Sequence, residues 1–365
     1  MNKKEQDIRF ITEALILADK GIFSVSPNPA VGAIVVKKGK IIGKGFHSSP
    51  GSQHAEQIAL NKAGKDSIGA TLYVNLEPCC HYGKTPPCLD LIIEKKIKRV
   101  VISQKDPNPL VNGKSIKMLK KSGIDVELGV LKEEAMRLNK SFNHFFLKKT
   151  PYITAKIGMS LDGKIADHNW KSKWITSKKS RLDVQSLRAQ SCAILTGIGT
   201  ISADDPMLNV RNINVPRQPF IFVLDSKLRI KLDAKILSNP NLFLITAQKK
   251  DSTKYKKLKK LGINLKSIPN SFNKVHLHKL MKLFNKMKFN EVLVESGMNL
   301  NSALYSEGLI DEFVIYYAPK ILGDAGRGML YVQDALNMSD IPSNKIISYK
   351  KIGPDLKINF LTSYH

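Results

Sequence analysis

The sequence predicts an α/β protein of two domains, and three observations carry that prediction. A chain of 365 residues is longer than one ordinary domain. Short apolar runs alternate with helically periodic stretches in both halves. The alternation stops once, at Lys148-Lys149-Thr150-Pro151, and then restarts. This divides the chain into residues 1–148 and 149–365. An apolar fraction of 42%, with 7% aromatic residues, is enough for two buried cores.

Ile8, Ile11, Leu15 and Ala18 recur at helical spacing, so the chain opens on an amphipathic helix ending near Gly21. Ser26-Pro27-Asn28-Pro29 is a rigid loop. Residues 31–36 and 41–46 read as a hairpin turning at Lys38-Gly39. A helix over 54–63 carries His54 and Glu56 in its first turn. A strand over 70–76 runs into Glu77-Pro78-Cys79. Pro86-Pro87 starts the next helix, because proline is tolerated at the first helical position, and Cys88 falls in its first turn. Next come a strand over 99–103, a helix over 115–121 closed by Gly123, and a strand over 125–130. Helix, hairpin, then alternating helix and strand imply a three-layer α/β/α sandwich. One lysine-bearing helix over 133–147 bridges to the second domain. There, strands are expected at 152–157, 193–195, 220–224, 242–246, 291–295 and 311–318, with helices at 180–189, 276–287 and 299–307. Segments 346–350 and 356–361 give this second α/β domain an antiparallel finish.

The formal net charge is +27. Such a charge invites a nucleic-acid reading. The excess, however, is mostly lysine, spread through the chain as singles and pairs, with Asn and Ile also abundant. A coding bias explains this better than a polynucleotide patch, so no nucleic-acid partner is expected. The basic surface still suits a small phosphorylated substrate. Of the four cysteines, Cys79, Cys80 and Cys88 crowd together and Cys192 stands alone, reading as a small buried hydrophobe. This is no disulfide framework, and a reducing, cytoplasmic setting follows. No signal-peptide pattern and no apolar run of membrane-spanning length is present. The sequence leaves the oligomeric state open, a homo-oligomer being one option.

Chemistry concentrates in one broken motif: His54-Ala55-Glu56, Glu77-Pro78-Cys79 and Pro86-Pro87-Cys88. One imidazole and two thiols are three zinc ligands, and a catalytic zinc keeps its fourth position open for water. Glu56, two residues from His54, is placed to move protons beside that position. A histidine-x-glutamate with paired cysteines is the deaminase pattern, in which the glutamate carries a proton to the ring nitrogen and the leaving ammonia. One zinc per chain is expected. A closed structural site would need a fourth ligand from Cys80 or His81, and would leave Glu56 without a role. His47 is either an ordinary loop histidine or a substrate contact.

The second half is less legible. It has no G-x-G-x-x-G after a strand. Glu295-Ser296-Gly297 ends a strand and precedes a helix, which suits either an anion site or an ordinary turn. Asp204-Asp205-Pro206 is similarly open between a functional role and a mere helix cap or turn. Arg188 and Arg211 serve either a phosphate or surface ion pairs. Trp174 is either core packing or a wall of a site.

Taken together, several motifs make the chain resemble the bifunctional deaminase–reductases of riboflavin biosynthesis. They are Pro27-Asn28-Pro29-Ala30-Val31-Gly32, His54-Ala55-Glu56, the insert from Glu77 through Thr85 to Cys88, Asp106-Pro107-Asn108-Pro109, Ser160-Leu161-Asp162-Gly163-Lys164-Ile165-Ala166, Trp174-Ile175-Thr176-Ser177, Asp204-Asp205-Pro206 and Glu295-Ser296-Gly297. The resemblance covers nearly the whole chain. It implies an N-terminal domain similar to the cytidine deaminase fold, acting on a phosphoribosylamino pyrimidine. It also implies a C-terminal domain similar to dihydrofolate reductase, reducing the ribose of the product with NADPH. It places the zinc ligands on His54, Cys79 and Cys88, and the proton shuttle on Glu56. It assigns NADP contacts to Gly158, Trp174, Thr200, Asp204, Ser226 and the turn beginning at Gly297. It assigns substrate contacts to Ser172, Arg188, Leu208, Arg211 and Glu295. The family usually has serine where this chain has Cys80, whose thiol is expected to point away from the metal. A tRNA-type zinc deaminase would share His54-Ala55-Glu56, but would leave the long insert and the second domain unexplained.

Overall fold

Five strands form the sheet of the first unit, residues 1–149. The computed structural model describes residues 2–82, 86–332, 337, 341 and 343–363. Strands β1 (Gly32–Lys37) and β2 (Lys40–Phe46) make the expected hairpin, followed by β3 (Thr71–Leu76), β4 (Arg99–Gln104) and β5 (Asp125–Leu128). The order is β2-β1-β3-β4-β5, with β1 antiparallel to both neighbours and β3, β4 and β5 parallel. Alternate residues of each strand point to opposite faces. Ile34, Val36, Tyr73 and Val101 meet Phe10, Ile11 and Ala14 of α1 (Lys3–Asp19). Ala33, Val35, Leu72, Val74, Val100 and Ile102 meet helices α2 (Ala55–Ala63), α3 (Cys88–Glu94) and α4 (Lys114–Lys121) through residues such as Ala59, Leu89 and Leu119. The result is the three-layer sandwich.

Glycines set how closely α2 approaches. A Cβ on Gly43 would lie 2.1 Å from the Ala59 carbonyl oxygen, and one on Gly45 would lie 2.3 Å from that of Ala55. The helix carrying Glu56 therefore rests directly on the backbone of β2, a contact only glycine permits.

Two details differ from the sequence reading. His54 caps α2 from outside rather than lying in its first turn, and Pro87 caps α3. The single helix expected over 133–147 is two, α5 (Lys132–Leu138) and α6 (Lys140–Lys148). Asn139 interrupts it. Its buried side chain accepts from the Ala30 amide at 2.8 Å and donates to the Ala30 carbonyl at 3.0 Å. That pair of bonds completes the backbone pairing of the Pro29-Ala30 loop, and helix continuity yields to it.

The second unit, residues 150–365, holds a nine-stranded sheet. Its elements are β6 (Tyr152–Ser160), β7 (Lys164–Ala166), α7 (Lys178–Gln190), β8 (Ala193–Gly197), α8 (Ile198–Asp204), β9 (Phe220–Leu224), β10 (Leu242–Thr246), α9 (Thr253–Lys260), β11 (Asn264–Ser267), α10 (Leu277–Lys286), β12 (Glu291–Val294), α11 (Met298–Ser306), β13 (Glu312–Ala318), β14 (Arg327–Gly328), β15 (Lys345–Ile352) and β16 (Asp355–Leu361). The sheet order is β11-β10-β9-β8-β12-β6-β13-β16-β15. Strands β11 to β13 in that order run parallel, and β16 pairs antiparallel with β13 and β15. The chain leaves β6, steps outward to β11, and returns to lay β12 between β8 and β6. Direction reverses there, and the carboxyl ends of β8, β12 and β6 flank the crevice where open α/β sheets bind ligands. Phe222, Phe284, Val292 and Phe313 fill one core, while Ile194, Ile221, Leu258 and Leu293 fill another.

Helices α8 and α9 and strand β11 were not expected. Thr253–Lys260 carries five lysines around a buried pair, Tyr255 and Leu258, too few apolar positions to mark a period. Among the described residues, no helix is long and apolar enough to cross a membrane.

Candidate active sites

The first unit gathers His54, Cys79 and Cys88 into one cluster, their ligand atoms all within 4.8 Å of one another. His54 Nδ1 lies 3.4 Å from Cys79 Sγ and 3.3 Å from Cys88 Sγ. Three elements supply them: the cap of α2, the turn after β3, and the start of α3. Tetrahedral zinc, with bonds of about 2.0–2.3 Å, sets neighbouring nitrogen and sulfur ligands about 3.5 Å apart. The donor set and its spacing therefore fit zinc. Cys80 turns away, its thiol donating to the Leu110 carbonyl at 3.7 Å. Among the described residues, neither Cys80 nor His81 joins the cluster. Gly83, Lys84 and Thr85 of the insert lie outside the described residues.

Charge is unevenly shared. Cys79 is the readier thiolate, held down to about 4 by hydrogen bonds from the Cys88 thiol, from His54 and from the Cys88 amide at 3.3 Å, against the cost of burial. The same Cys88–Cys79 bond, together with burial, pushes the Cys88 thiol up. Glu56 is buried at 3% exposure. Burial first, then the negative charge on Cys79, raises its carboxyl to about 7, with His54 opposing. A carboxyl there can exchange a proton near neutrality. His47 is also buried. Its Nε2 lies 3.0 Å from Asn28 Nδ2, and its ring meets the His54 ring edge-on at 5.5 Å.

In the second unit most of the candidates fall in two groups. Gly158 of β6 faces Thr176, and a Cβ there would come within 3.0 Å of Thr176 Cγ2. In the segment leading to Thr176, the Ser172 carbonyl accepts from the Ile175 amide at 3.1 Å, and Trp174 is 61% exposed. Asp204, ending α8, pairs with Lys173 at 3.3 Å. A second group forms around Glu295, just beyond β12. Arg188 donates to it through Nε at 2.6 Å and Nη2 at 3.1 Å, and to the Asn209 carbonyl through Nη1 at 2.9 Å. Leu208, next to Asn209, is buried with φ of 54°, and the Arg211 amide donates to Gln185 at 2.8 Å. Gly297 caps α11 with open space above it, and Thr200 lies half-buried in α8. Ser226, after β9, stands apart, its Oγ accepting from the Val275 amide at 3.1 Å.

Comparison with known proteins decides the family. Residues 4–104 match the cytidine and deoxycytidylate deaminase zinc-binding region, and residues 151–358 match the RibD C-terminal domain. The riboflavin biosynthesis protein RibD of Aquifex aeolicus is 41% identical over 360 residues, 98% of this chain and 99% of that protein. The chain belongs to the RibD family. An Acinetobacter baumannii RibD structure superposes with a TM-score of 0.90 at 39% identity, covering 98% of this chain and 99% of the other. A Thermotoga maritima structure, a diaminohydroxyphosphoribosylaminopyrimidine deaminase/5-amino-6-(5-phosphoribosylamino)uracil reductase, superposes at 0.88 with 34% identity and 99% coverage of both chains. The protein is thus a bifunctional deaminase and reductase of riboflavin biosynthesis. It has a deaminase zinc-binding domain followed by the dihydrofolate-reductase-like RibD domain.

Within the RibD frame, three neighbours of these sites were given no role by the sequence reading: Lys156, which it did not single out, and Asp106 and Glu77, which it named only as parts of motifs. Lys156 of β6 meets Glu295 at 3.1 Å. A lysine inside an otherwise apolar strand was the available signal. Asp106 is buried near Cys79. Burial raises its carboxyl to about 7, with the Asn108 amide opposing and Glu77 and Cys79 adding to the rise. Glu77, fully enclosed, accepts from the Asp106 amide at 3.2 Å, the Gly113 amide at 2.8 Å, Ser115 Oγ at 2.7 Å and the Ile116 amide at 3.3 Å. It ties the cysteine turn of the RibD deaminase site to the start of α4. Glu77→Gln turns an NH₂ group against backbone N–H donors. The first unit should lose about 1–3 kcal/mol in urea unfolding, the cost of unmet buried donors. A change below about 0.5 kcal/mol, the size of ordinary surface effects, would contradict that role.

Proposed function

We propose that residues 1–148 hydrolytically deaminate 2,5-diamino-6-hydroxy-4-(5-phosphoribosylamino)pyrimidine. On this reading, residues 149–365 then reduce the ribosyl group of the product to ribityl with NADPH. The observation that carries the first half is the His54, Cys79 and Cys88 cluster with buried Glu56 beside it. The two family matches, one to each half, support the coupling of the reactions. His54, Cys79 and Cys88 would hold one zinc per chain, which supplies the Lewis acidity that makes water nucleophilic near neutral pH. Glu56 takes one proton from the attacking water to the ring nitrogen, and carries a second, from the added hydroxyl as it becomes the carbonyl, to the departing amine. Water enters, ammonia leaves, and a carbonyl replaces the amino group.

NADPH supplies hydride when bound. The residues proposed to bind it are Gly158, Trp174, Thr200, Asp204, Ser226 and the turn from Gly297. Ser172, Arg188, Leu208, Arg211 and Glu295 are proposed to line the substrate's place. The free cysteines accord with a reducing, cytoplasmic setting. The net charge of +27 favours a phosphorylated pyrimidine.

Metal removal tests the division of labour. Chelation should abolish ammonia release, while NADPH oxidation on already deaminated pyrimidine continues at its full rate. Zinc should restore ammonia release. Loss of both activities together, or of neither, would contradict the assignment.

A further inference from the structure

Residues 172–177, ahead of α7, are fastened from several other elements. Lys173 Nζ donates to the Asp204 carbonyl at 3.0 Å. Arg181 donates to the Thr176 carbonyl at 2.7 Å and lays its guanidinium 4.3 Å over the Trp174 ring. Asp355 accepts the Ser177 amide at 2.8 Å. Lys320, in the loop after β13, reaches back and donates to the Trp174 carbonyl at 2.7 Å.

The ring held by these contacts is 61% exposed, so core packing does not account for them. An exposed tryptophan on an arginine, two residues from the Thr176 that packs on Gly158 of β6, is a surface for stacking a planar group. The loop of Lys320 is itself tied down. Leu161 donates its amide to the Lys320 carbonyl at 2.8 Å. Asp162 accepts the Leu322 amide at 3.1 Å and the Gly323 amide at 2.7 Å, as well as the Ser160 hydroxyl. The Ser160 hydroxyl bond and these amides hold the Asp162 carboxyl down to about 2, so the anchor stays ionised. The chain of contacts runs from the end of β6 through Asp162 to the loop of Lys320 and on to Trp174.

We infer that Lys320 is a positioning residue of the reductase. By holding the Trp174 peptide, it fixes how the ring is presented to the nicotinamide dinucleotide. This rests on the reading above that Trp174 contacts the cofactor.

The test compares Lys320→Met, Lys320→Arg, Trp174→Ala and the Lys320→Met/Trp174→Ala pair in the full chain. Dissociation and Michaelis constants for NADPH are read on deaminated pyrimidine. Ammonia release by the first unit and urea unfolding serve as controls. Lys320→Met should raise both NADPH constants about tenfold, as loss of a charged hydrogen bond allows, with kcat changed less than about threefold. Lys320→Arg should recover most of the affinity, and ammonia release and unfolding should not move. The double variant should bind NADPH no more weakly than Trp174→Ala alone, because the two act on one contact. Unchanged NADPH binding in Lys320→Met, with weakened binding in Trp174→Ala, overturns the role of Lys320 and leaves the Trp174 reading intact. Unchanged binding in Trp174→Ala overturns that reading and the inference with it. A fall in unfolding stability alongside the NADPH effect makes Lys320 merely structural and overturns the inference.

Discussion

Glu56→Gln should abolish ammonia release while the protein keeps its zinc and still oxidises NADPH on already deaminated pyrimidine. The substitution preserves shape and removes only the capacity to accept a proton. General acid–base groups contribute about 10²–10⁴-fold, and Glu56 is proposed to act at both the ring nitrogen and the leaving amine. A loss near the upper end, about 10⁴-fold, is therefore expected. Glu56 is enclosed between Cys79, Cys88 and His54, and burial leaves bulk water little scope to replace it. Ammonia release, NADPH oxidation and metal content measured on one preparation check this. A variant within tenfold of wild type would show that another group moves the proton.

Arg188→Met should destabilise the second unit by about 3 kcal/mol or more. Removing one partner of a buried ion pair strands the other charge, at a typical cost of about 3–5 kcal/mol. Lys156 at 3.1 Å softens the loss but cannot replace a two-pronged guanidinium. Burial alone would raise the Glu295 carboxyl, but Arg188 and then Lys156 outweigh it and hold the group at about 2, against a usual 4.5. A depressed carboxyl stabilises the fold above its unfolded value. That contribution, about 3 kcal/mol from the shift, is complete above about pH 4.5 and fades as pH falls toward 2. Urea unfolding of the second unit, followed by tryptophan fluorescence since Trp170 and Trp174 both lie in that unit, should show this acid dependence in the wild type and much less of it in Arg188→Met. An equal acid slope in both proteins would mean that Glu295 is not the titrating group.

The metal cluster was legible because its ligands are chemically rare and closely spaced, but residue type alone left Cys80 and His81 open, and the fold turns Cys80 away. The central strands were legible because they are buried and their apolar runs are bounded by polar turns. Legibility failed where one side chain overrode a pattern. Asn139 breaks a helix for the sake of Ala30, over a separation of 109 residues that no local period encodes. Helix α9 was hidden by its lysines. In the second unit the resemblance marked Arg188 and Glu295 individually, but not their mutual pairing. That pairing depends on β12 returning to lie between β8 and β6, a long-range step in topology.

The most direct test of the whole account is the stoichiometry of the two products from a single substrate. The full chain is given zinc, NADPH and the 2,5-diamino pyrimidine, and ammonia and oxidised NADPH are followed together. One ammonia and one NADP⁺ per pyrimidine are expected at completion, with ammonia appearing first. NADPH oxidation without prior ammonia release, or consumption of pyrimidine with only one of the two products formed, would contradict it.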